Sequence, residues 1–191
     1  MPEQEKKVII LTAPSGAGKT SITQFLLANY PQLAFSVSAT TRAPRGAEQD
    51  GIDYHFISAA AFEAHIQQDD FLEYEMVYEG LYYGTLKSEL NRIWAQGKTP
   101  VLDIDVKGAI AIQKQLGNQA LSIFILPPSI EVLKERLANR NTESPEKMQM
   151  RLDKAAYEIS FSDQFNAVVK NEVLETACEE TASLIQAFIS K

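Results

Sequence analysis

Short apolar runs alternate with amphipathic stretches along much of the chain. Residues 8–11 are continuously apolar and mostly β-branched, which predicts a parallel strand buried on both faces. Apolar side chains then recur at helical spacing from Ser21 to Tyr30. Residues 101–105 and 121–126 are predicted strands, and residues 106–115 between them are a predicted helix. This order of elements predicts an α/β fold with a parallel sheet flanked by helices.

The last part of the chain continues this alternation. Ser129 is predicted to cap a helix that runs through Leu137, and the Ser144-Pro145 pair is predicted to start another that runs toward Ser160. Residues 167–169 are the predicted last strand, before a C-terminal helix.

The middle of the chain has a different pattern. Between residues 35 and 83 the alternating segments are short, as at residues 53–57, and one helix is predicted near Ala59 to Gln68. We interpret this region as a small β-rich insertion on the parallel sheet.

The composition indicates one folding unit. The chain has 191 residues, of which 45% are apolar and 23% are charged, so it can bury one sizeable core. No apolar run approaches the roughly 20 residues that cross a bilayer, and the charged N-terminus does not resemble a signal peptide, so a cytoplasmic protein is expected. The formal net charge of −7 repels polyanions and argues against general nucleic-acid binding.

Cysteine and histidine give no sign of a metal centre. Cys178 is the only cysteine in the sequence, so neither a disulfide nor a thiolate metal site can form within one chain. His55 lies in an alternating segment and His65 in a predicted helix, and neither has a metal-ligand neighbour in the sequence. Both are expected to be structural, and no zinc site is predicted.

A phosphate-binding loop is the most specific motif. The residues between the first predicted strand and helix read Ala13-Pro14-Ser15-Gly16-Ala17-Gly18-Lys19-Thr20 and fit G-x-x-x-x-G-K-S/T at every fixed position except the first. The glycines let successive N–H groups surround an anion at a helix N-terminus. Lys19 can reach the β- and γ-phosphates of ATP, and the Thr20 hydroxyl can bind Mg²⁺. These two side chains disfavour the alternative, a turn that binds nothing.

Ala13 is the one departure from this motif. A glycine at this position could be needed for a positive φ, which alanine adopts only at a cost. The amides that surround the phosphate come later in the loop, so we expect activity to survive the alanine.

Two carboxylates follow a predicted core strand. Asp103 matches the acidic residue that supports Mg²⁺ beside such a loop. Asp105 is two residues further on and is expected on the same side of the strand. Buried carboxylates need cations or hydrogen-bond donors, and the alternative role is capping at the strand end.

Arginines suited to phosphate occur in the insertion. Arg42 and Arg45 lie three residues apart, beside hydroxyl groups, in an otherwise acidic chain. A planar guanidinium can bind phosphate through two hydrogen bonds, and Ser38, Tyr54 and Tyr83 can donate to the same anion. Taken alone, such an arginine pair is more often a solvated surface.

The chain resembles the guanylate kinases over almost its full length. The motifs that carry the resemblance are APSGAGKT, SVSATTRAPR, DGIDYHF, FLEYE, YYGT, LDID and the segment from Arg136 to Arg151. The resemblance implies a P-loop kinase that transfers a phosphoryl group from Mg-ATP to GMP, and also to dGMP, with a GMP-binding insertion and a helical lid on a single domain, residues 1–191. The core would comprise residues 1–34, 87–136 and 153–191, the insertion residues 35–86 and the lid residues 137–152.

The resemblance also assigns substrate contacts. It implies that the GMP phosphate is bound by Ser38, Arg42, Arg45, Tyr54 and Tyr83. It implies that guanine is bound by Glu73 and Asp105, together with Ser38 and Thr85, and it places Asn171 near adenine. Carboxylates suit guanine because its N1–H and 2-amino group are donors, whereas adenine lacks this pair.

Three arginines form a further cluster, Arg136, Arg140 and Arg151. Arg136 and Arg140 share a helix face, and a predicted turn separates them from Arg151. In the family, arginines at the positions of Arg140 and Arg151 close over the phosphates, so the resemblance implies that these arginines and Lys19 are catalytic. Ordinary exposed arginines are the alternative, which stays most open for Arg136.

Two other functions are possible on the sequence. A guanylate-kinase-like module without activity could bind a partner peptide, but Lys19 and Thr20 are retained. A kinase for another monophosphate is disfavoured by Glu73 and Asp105. We expect no nucleic-acid or membrane partner, and either a monomer or a small homo-oligomer.

Overall fold

Five parallel strands form the central sheet in the computed structural model of the chain, which describes residues 6–138 and 145–191. In chain order the strands and helices are β1 (Val8–Thr12), α1 (Lys19–Asn29), β2 (Leu33–Phe35), β3 (Ala39–Thr40), β4 (His55–Phe56), α2 (Ala59–Gln67), β5 (Phe71–Tyr78), β6 (Leu81–Leu86), α3 (Lys87–Ala95), β7 (Thr99–Asp103), α4 (Val106–Leu116), β8 (Ala120–Leu126), α5 (Ile130–Ala138), α6 (Pro145–Ile159), β9 (Ala167–Lys170) and α7 (Leu174–Ile189).

The parallel sheet has the strand order β2-β7-β1-β8-β9. β1 is the central strand, and its Ile10 pairs with Leu102 of β7 on one side and with Ser122 of β8 on the other. Because the chain leaves β1 first toward one edge and later toward the other, the carboxyl end of β1 opens a crevice. The loop after β1 and the end of β7 meet at this edge of the sheet.

Helices cover both faces of the central strand. Ile9 and Leu11 are fully buried in one cluster, to which α1 and α7 contribute Leu26 and Ile185. Val8 and Ile10 point the other way, into a cluster formed with α3 and α4. This packing confirms the predicted α/β fold and the prediction of a strand buried on both faces.

The segment after β2 forms a separate four-stranded sheet, in the order β4-β3-β6-β5. Helix α2 packs on it through Phe62, whose ring stacks on Phe71 and Tyr82 at centroid distances of 4.2 and 5.0 Å. Phe35 still belongs to the parallel sheet, where it pairs with Val101.

Helix caps account for two boundaries on the phosphate-loop side of the sheet. The Ser129 hydroxyl accepts a 3.2 Å hydrogen bond from the Val132 N–H, as predicted for the start of α5. β7 ends at Asp103, and Asp105 instead caps α4, where its Oδ1 accepts a 2.8 Å hydrogen bond from the Gly108 N–H. The prediction that Asp105 continues the strand was therefore wrong. An aspartate side chain can accept hydrogen bonds from the unpaired N–H groups in the first turn of a helix, and here it does so.

The other predicted elements of the C-terminal part are present with small shifts. α6 begins at Pro145, and Ser144, predicted to precede it, lies outside the described residues. Of the helices within residues 6–138 and 145–191, none combines the length and apolar character that a bilayer crossing requires.

Candidate active site

The loop between β1 and α1 has the backbone geometry of an anion-binding loop. Gly16 and Gly18 have φ values of 89° and 100°, which favour glycine, and the Ala17 N–H donates to the Pro14 carbonyl at 3.1 Å. Among the described residues, Asp69 is the only non-glycine with a positive φ, so Ala13 does not need glycine's freedom. The missing first glycine therefore causes no backbone strain.

Neighbouring elements support this loop closely. A Cβ on Gly16 would lie 3.0 Å from Leu137 and 3.1 Å from Leu133, both on α5. A Cβ on Gly18 would lie 2.2 Å from Nδ2 of Asn171, which follows β9. Both glycines are thus fixed by backbone conformation and by their neighbours.

Lys19 points along the sheet edge toward the end of β7. Its Nζ forms an ion pair with the Asp103 carboxylate and lies 3.4 Å from the Ile104 carbonyl oxygen. Both side chains are partly exposed, at 19% for Lys19 and 24% for Asp103. The predicted proximity of the loop lysine and the strand-end carboxylate is present in the structure.

A cavity of about 630 Å³ opens at this edge. The sequence-predicted residues that line it are Ala13, Pro14, Ser15, Gly16, Gly18, Lys19, Thr20, Ser38, Tyr54, Glu73, Tyr83, Asp103, Asp105 and Arg151. It therefore joins the phosphate loop to residues of the second sheet. Such a volume is in the range of small-molecule binding sites.

Arg42 does not line the cavity but contacts two tyrosines that do. Its two terminal nitrogens form a bidentate pair with Glu48 at 2.6 and 2.8 Å, and its Nε donates to the Tyr83 hydroxyl at 3.0 Å. Its guanidinium also lies 4.8 Å above the Tyr54 ring. The hydrogen bonds with Glu48 raise the pKa of Arg42 and lower the pKa of Glu48 to about 2, so the pair is charged across the physiological range.

Arg45 is exposed, and its backbone N–H donates to the Glu48 carboxylate at 2.8 Å. The structure thus links both predicted phosphate-binding arginines to one acidic residue. Glu48 occupies the position relative to Arg42 that a phosphate would take as a bidentate acceptor.

Glu73 is the more buried of the two carboxylates that are predicted to contact guanine. It lies on β5, and its Oε1 accepts a 2.8 Å hydrogen bond from the Thr85 hydroxyl on β6. Thr85 is fully buried behind it. Burial raises the pKa of Glu73 to about 7, with a smaller contribution from the nearby charge of Asp105, although the Thr85 hydrogen bond acts against the rise.

Asp105 interacts with a second carboxylate, Glu75. The hydrogen bond with Asp105, followed by burial, raises the pKa of Glu75 to about 7. Burial acts to raise the pKa of Asp105, but the hydrogen bonds from Glu75 and from the Gly108 N–H hold it below its usual value. Near neutral pH, Asp105 is therefore the ionised acceptor of this pair.

Gly108 lies between the two predicted guanine-binding carboxylates. A Cβ at this position would be 2.9 Å from Oε2 of Glu73 and 3.3 Å from Oδ1 of Asp105. Any side chain here would displace at least one of them.

Helix α6 contributes a charged face to the same cavity. Arg151 donates a 2.6 Å hydrogen bond to the Ser15 hydroxyl of the phosphate loop. Lys154 and Glu158 follow at helical spacing and also line the cavity. Burial raises the pKa of Glu158.

The other two predicted arginines are placed differently. Arg140 lies outside the described residues. Arg136 does not line the cavity, and its Nη2 donates a 3.2 Å hydrogen bond to the backbone carbonyl of Asn171.

Several residues of the site were not predicted from the sequence. These are Glu48, Glu75, Gly108, Lys154 and Glu158. For Glu48 the signal was an acid close to two arginines, and for Gly108 it was a glycine shortly after the two aspartates. Lys154 and Glu158 repeat at helical spacing after Arg151, but exposed charges at such spacing are common on any helix surface.

The parallel sheet, the loop after its central strand and the loop lysine define a P-loop nucleotide-binding protein. The family model described as guanylate kinase matches residues 5–188. The chain belongs to the guanylate kinase family.

Individual relatives agree with this assignment. A guanylate kinase of Bacteroides thetaiotaomicron is 46% identical over 185 residues, which are 97% of this chain and 91% of that protein. A guanylate kinase of Salinibacter ruber is 47% identical over 186 residues, covering 97% of this chain and 98% of that protein. The crystal structure of guanylate kinase from Anaplasma phagocytophilum matches with a TM-score of 0.78 at 28% identity, over 100% of this chain and 90% of that chain. The resemblance seen in the motifs is thereby confirmed.

Proposed function

We propose that this protein transfers the γ-phosphoryl group of Mg-ATP to GMP, and also to dGMP, to form ADP and the nucleoside diphosphate. The observation that carries the proposal is the single cavity that the phosphate loop shares with Glu73 and Asp105. A donor site for polyphosphate and an acceptor site with carboxylates therefore face the same space.

The donor side follows from the loop. N–H groups of residues 15–20 and the N-terminus of α1 would surround the ATP phosphates, and Lys19 would lie against the β- and γ-phosphates. In the structure Lys19 pairs with Asp103, so binding of ATP would exchange a carboxylate partner for a phosphate partner. The lysine is thus already oriented toward the reacting region.

Mg²⁺ would accompany ATP as part of the substrate. The oxygen donors beside the loop are the Thr20 hydroxyl and the Asp103 carboxylate, which suit a hard divalent cation, with water completing its coordination. The ion would supply positive charge that neutralises the donor phosphates. Because Asp103 would then have the cation as its partner, Lys19 would be free to turn toward the phosphates.

The acceptor side uses the second sheet. Ser38, Tyr54 and Tyr83 line the cavity, and Arg42 contacts Tyr83 and Tyr54 from behind them without lining it. We propose that these groups and Arg45 bind the GMP phosphate, which would compete with Glu48 for Arg42. Arg45, and Arg42 once the phosphate replaces Glu48 as its partner, would supply the positive charge that a phosphate needs in an acidic protein.

Guanine would be selected by two carboxylate acceptors, of which Glu73 is partly buried and Asp105 is more exposed. Ionised Glu73 and Asp105 would accept hydrogen bonds from N1–H and the 2-amino group, while the Thr85 hydroxyl holds Glu73 in place. Adenine offers no such donor pair and would leave a buried carboxylate unpaired, at a cost of about 1–3 kcal/mol or more. The site therefore favours guanine over adenine.

Phosphoryl transfer would be an in-line displacement without a covalent enzyme intermediate. Lys19 and Arg151 would stabilise charge on the transferred group, and we propose the same role for Arg140. We propose that residues 137–152 act as a lid and residues 35–86 as the GMP-binding part, and that both close on the core to exclude water as a competing acceptor. The contact between Arg151 and Ser15 supports this assignment, since it already joins α6 to the loop.

The proposal places this reaction in the cytoplasm, on free nucleotides. The net charge of −7 disfavours a polynucleotide substrate. A monomer or a small homo-oligomer is compatible with a cavity that one chain lines alone.

A coupled assay of ADP release tests the function. The protein would be offered Mg-ATP with GMP, AMP, UMP or CMP in separate reactions, and the variants Lys19→Ala and Lys114→Ala would be run beside it. Lys114 is exposed on α4 and does not line the cavity, so it controls for loss of a lysine. We expect turnover with GMP, loss of turnover in Lys19→Ala and normal turnover in Lys114→Ala.

Other outcomes would redirect the interpretation. Preference for another monophosphate would contradict the guanine-binding roles of Glu73 and Asp105. No turnover with any acceptor would favour a binding module that has lost activity.

A further inference from the structure

Asn171 connects the edge of the parallel sheet to the phosphate loop. Its side chain is 2% exposed, and its Nδ2 donates a 2.7 Å hydrogen bond to the Ala17 carbonyl. Its own backbone N–H donates to the Leu126 carbonyl at 2.8 Å, where β8 ends. The amide is therefore fixed by the core sheet and holds the loop, and Asn171 itself does not line the cavity.

The contact with Asn171 also sets the direction of the Gly18 N–H, because Ala17 and Gly18 share one trans peptide. The C=O of one residue and the N–H of the next point in opposite directions from the same peptide plane. When Asn171 holds the Ala17 carbonyl on the protein side, the Gly18 N–H must face the other way. Gly18 lines the cavity, so this N–H points toward the space in which a phosphate would bind.

Gly18 is shaped to fit this amide. A Cβ at Gly18 would lie 2.2 Å from Asn171 Nδ2, which is closer than any real contact. The glycine therefore permits both its own positive φ and the close approach of the asparagine.

We propose that Asn171 is a positioning residue of the phosphate loop, which orients the Gly18 N–H toward the phosphates of the donor nucleotide. The proposal deepens the ATP-binding half of the proposed function and rests on it. Asn171 acts through the loop backbone and needs no contact with substrate.

A direct contact with adenine is the rival role of this side chain. Within the described part of the chain, Asn171 Oδ1 is buried and has no hydrogen-bond partner, so an adenine amino group could be its donor. A probe without adenine separates the two roles. Inorganic tripolyphosphate has the phosphates and lacks the base.

The test compares Asn171→Ala with the wild type by calorimetric titration with magnesium tripolyphosphate and with a non-hydrolysable ATP analogue. Loss of the amide leaves the Ala17 carbonyl unpaired and lets the loop relax, so we expect both ligands to bind about tenfold more weakly or worse. The affinity for GMP should change less than about twofold, because Asn171 lies on the donor side. An unchanged affinity for tripolyphosphate would overturn the proposal, whatever happens to the ATP analogue.

Asn166→Ala is the matched control. Asn166 precedes β9 as Asn171 follows it, and its Oδ1 accepts hydrogen bonds from the Ser122 N–H and hydroxyl at 2.9 and 3.0 Å. The control also removes side-chain hydrogen bonds that join the β8 and β9 segments, but at the amino ends of these strands, away from the loop. Equal weakening of tripolyphosphate binding in both variants would assign the effect to general loosening of the sheet edge and overturn the proposal.

A second variant and a measurement on the wild type guard against misfolding. Asn171→Leu keeps most of the volume of the side chain and removes the donor without adding a charge, so it should weaken tripolyphosphate binding about as much as the alanine variant. In the wild type, the Asn171 side-chain amide should exchange one proton with solvent slowly, because that proton is buried in a hydrogen bond. Fast exchange of both protons would exclude the contact.

The titration separates this proposal from the proposed function. Binding of tripolyphosphate needs no turnover and no GMP. Failure of the wild type to phosphorylate GMP would refute the reaction and leave the loop contact testable, whereas an active wild type with an unaffected Asn171→Ala variant would refute only the positioning role.

Discussion

Arg151 of α6 donates a 2.6 Å hydrogen bond to the Ser15 hydroxyl of the phosphate loop, across 136 positions of sequence. Helix α6, which begins at Pro145, thus contacts the phosphate loop. An arginine so placed can transfer its donors from a hydroxyl to a phosphate when ATP enters. Arginine suits this exchange because its planar group presents several donors at once.

Substitution of Arg151 by lysine should slow the reaction. An ammonium group on a flexible stem cannot present two donors in a fixed fork, so we expect Arg151→Lys to lower kcat about a hundredfold, with smaller changes in the KM values. Ser15→Ala is the matched variant, because it removes the resting contact and keeps the guanidinium. If steady-state kinetics show that Ser15→Ala lowers kcat as strongly as Arg151→Lys, the arginine acts by holding the loop and not by contacting phosphate.

GMP affinity should depend on pH through Glu73. The pKa of Glu73 is raised to about 7, and guanine needs its ionised form as an acceptor. The carboxyl is therefore competent above pH 7 and becomes protonated as the pH falls below it. We expect GMP to bind about tenfold more weakly at pH 6 than at pH 8, as measured by calorimetry.

Two variants identify the titrating group. Glu73→Gln should bind GMP weakly and remove this component of the pH dependence, while any titration of the GMP phosphate remains. Glu75→Gln should keep it, because glutamine can still donate a hydrogen bond to Asp105. A pH dependence that persists unchanged in Glu73→Gln would exclude Glu73 as its origin.

The same carboxyl should reduce stability at alkaline pH. A raised folded-state pKa means that the folded protein binds a proton more tightly than the unfolded chain, so stability falls as the pH rises from the ordinary value of 4.5 through about 7. Above that range the ionised Glu73 costs up to about 3 kcal/mol. Glu73→Gln should therefore unfold at higher denaturant concentration than the wild type at pH 8, and the gain should disappear at pH 4. If Glu73→Gln and the wild type have the same denaturant midpoint at pH 8 as well as at pH 4, this expectation is contradicted.

Gly108 should be required for GMP binding and not for folding. In Gly108→Ala the new methyl would lie 2.9 Å from Glu73 Oε2, so the carboxylate must shift and the KM for GMP should rise about tenfold. The substitution lies in the first turn of α4, where alanine is a better helix former by up to about 1 kcal/mol, so the fold should persist. The KM for ATP serves as the internal control and should stay unchanged. A normal KM for GMP would show that the two carboxylates can adjust around a methyl group.

The sequence alone predicted those features that depend on residues close together in the chain. Three such features are the apolar run at residues 8–11, the phosphate loop at residues 13–20 and the cap at Ser129. Each depends on neighbours within a few positions. The fold class follows from the order of such units. The end of β7 was missed because aspartate is compatible with a strand end and a helix cap, and only the hydrogen bond to Gly108 decides between them.

The remaining features depend on distant parts of the chain. Asn171 meets Ala17 across 154 positions, and the contact requires β9 to be placed beside β8 and β8 beside β1. The raised pKa of Glu73 depends on its burial in the finished fold. Neither the contact nor the pKa can be predicted from the order of residues alone, since both arise from packing.

Glu89 should couple the core to the GMP-binding sheet. It is a buried carboxylate on α3, 5% exposed, that accepts a 3.1 Å hydrogen bond from the Val37 N–H and two from Arg92 at 2.7 and 2.8 Å. Val37 directly precedes Ser38, which lines the cavity. Glu89→Ala should leave the Val37 N–H unpaired, lower the free energy of unfolding by about 2–4 kcal/mol and raise the KM for GMP severalfold.

Arg92→Ala separates the two effects of this pair. Arg92 is half-exposed, and its removal leaves the bond from Glu89 to the Val37 N–H in place. Stability should therefore fall, because a buried carboxylate loses its counter-charge, while the KM for GMP stays near the wild-type value. The comparison uses denaturant unfolding and steady-state kinetics on both variants, with the KM for ATP as the reference. If both variants raise the KM for GMP in proportion to their loss of stability, Glu89 stabilises the fold without positioning Ser38.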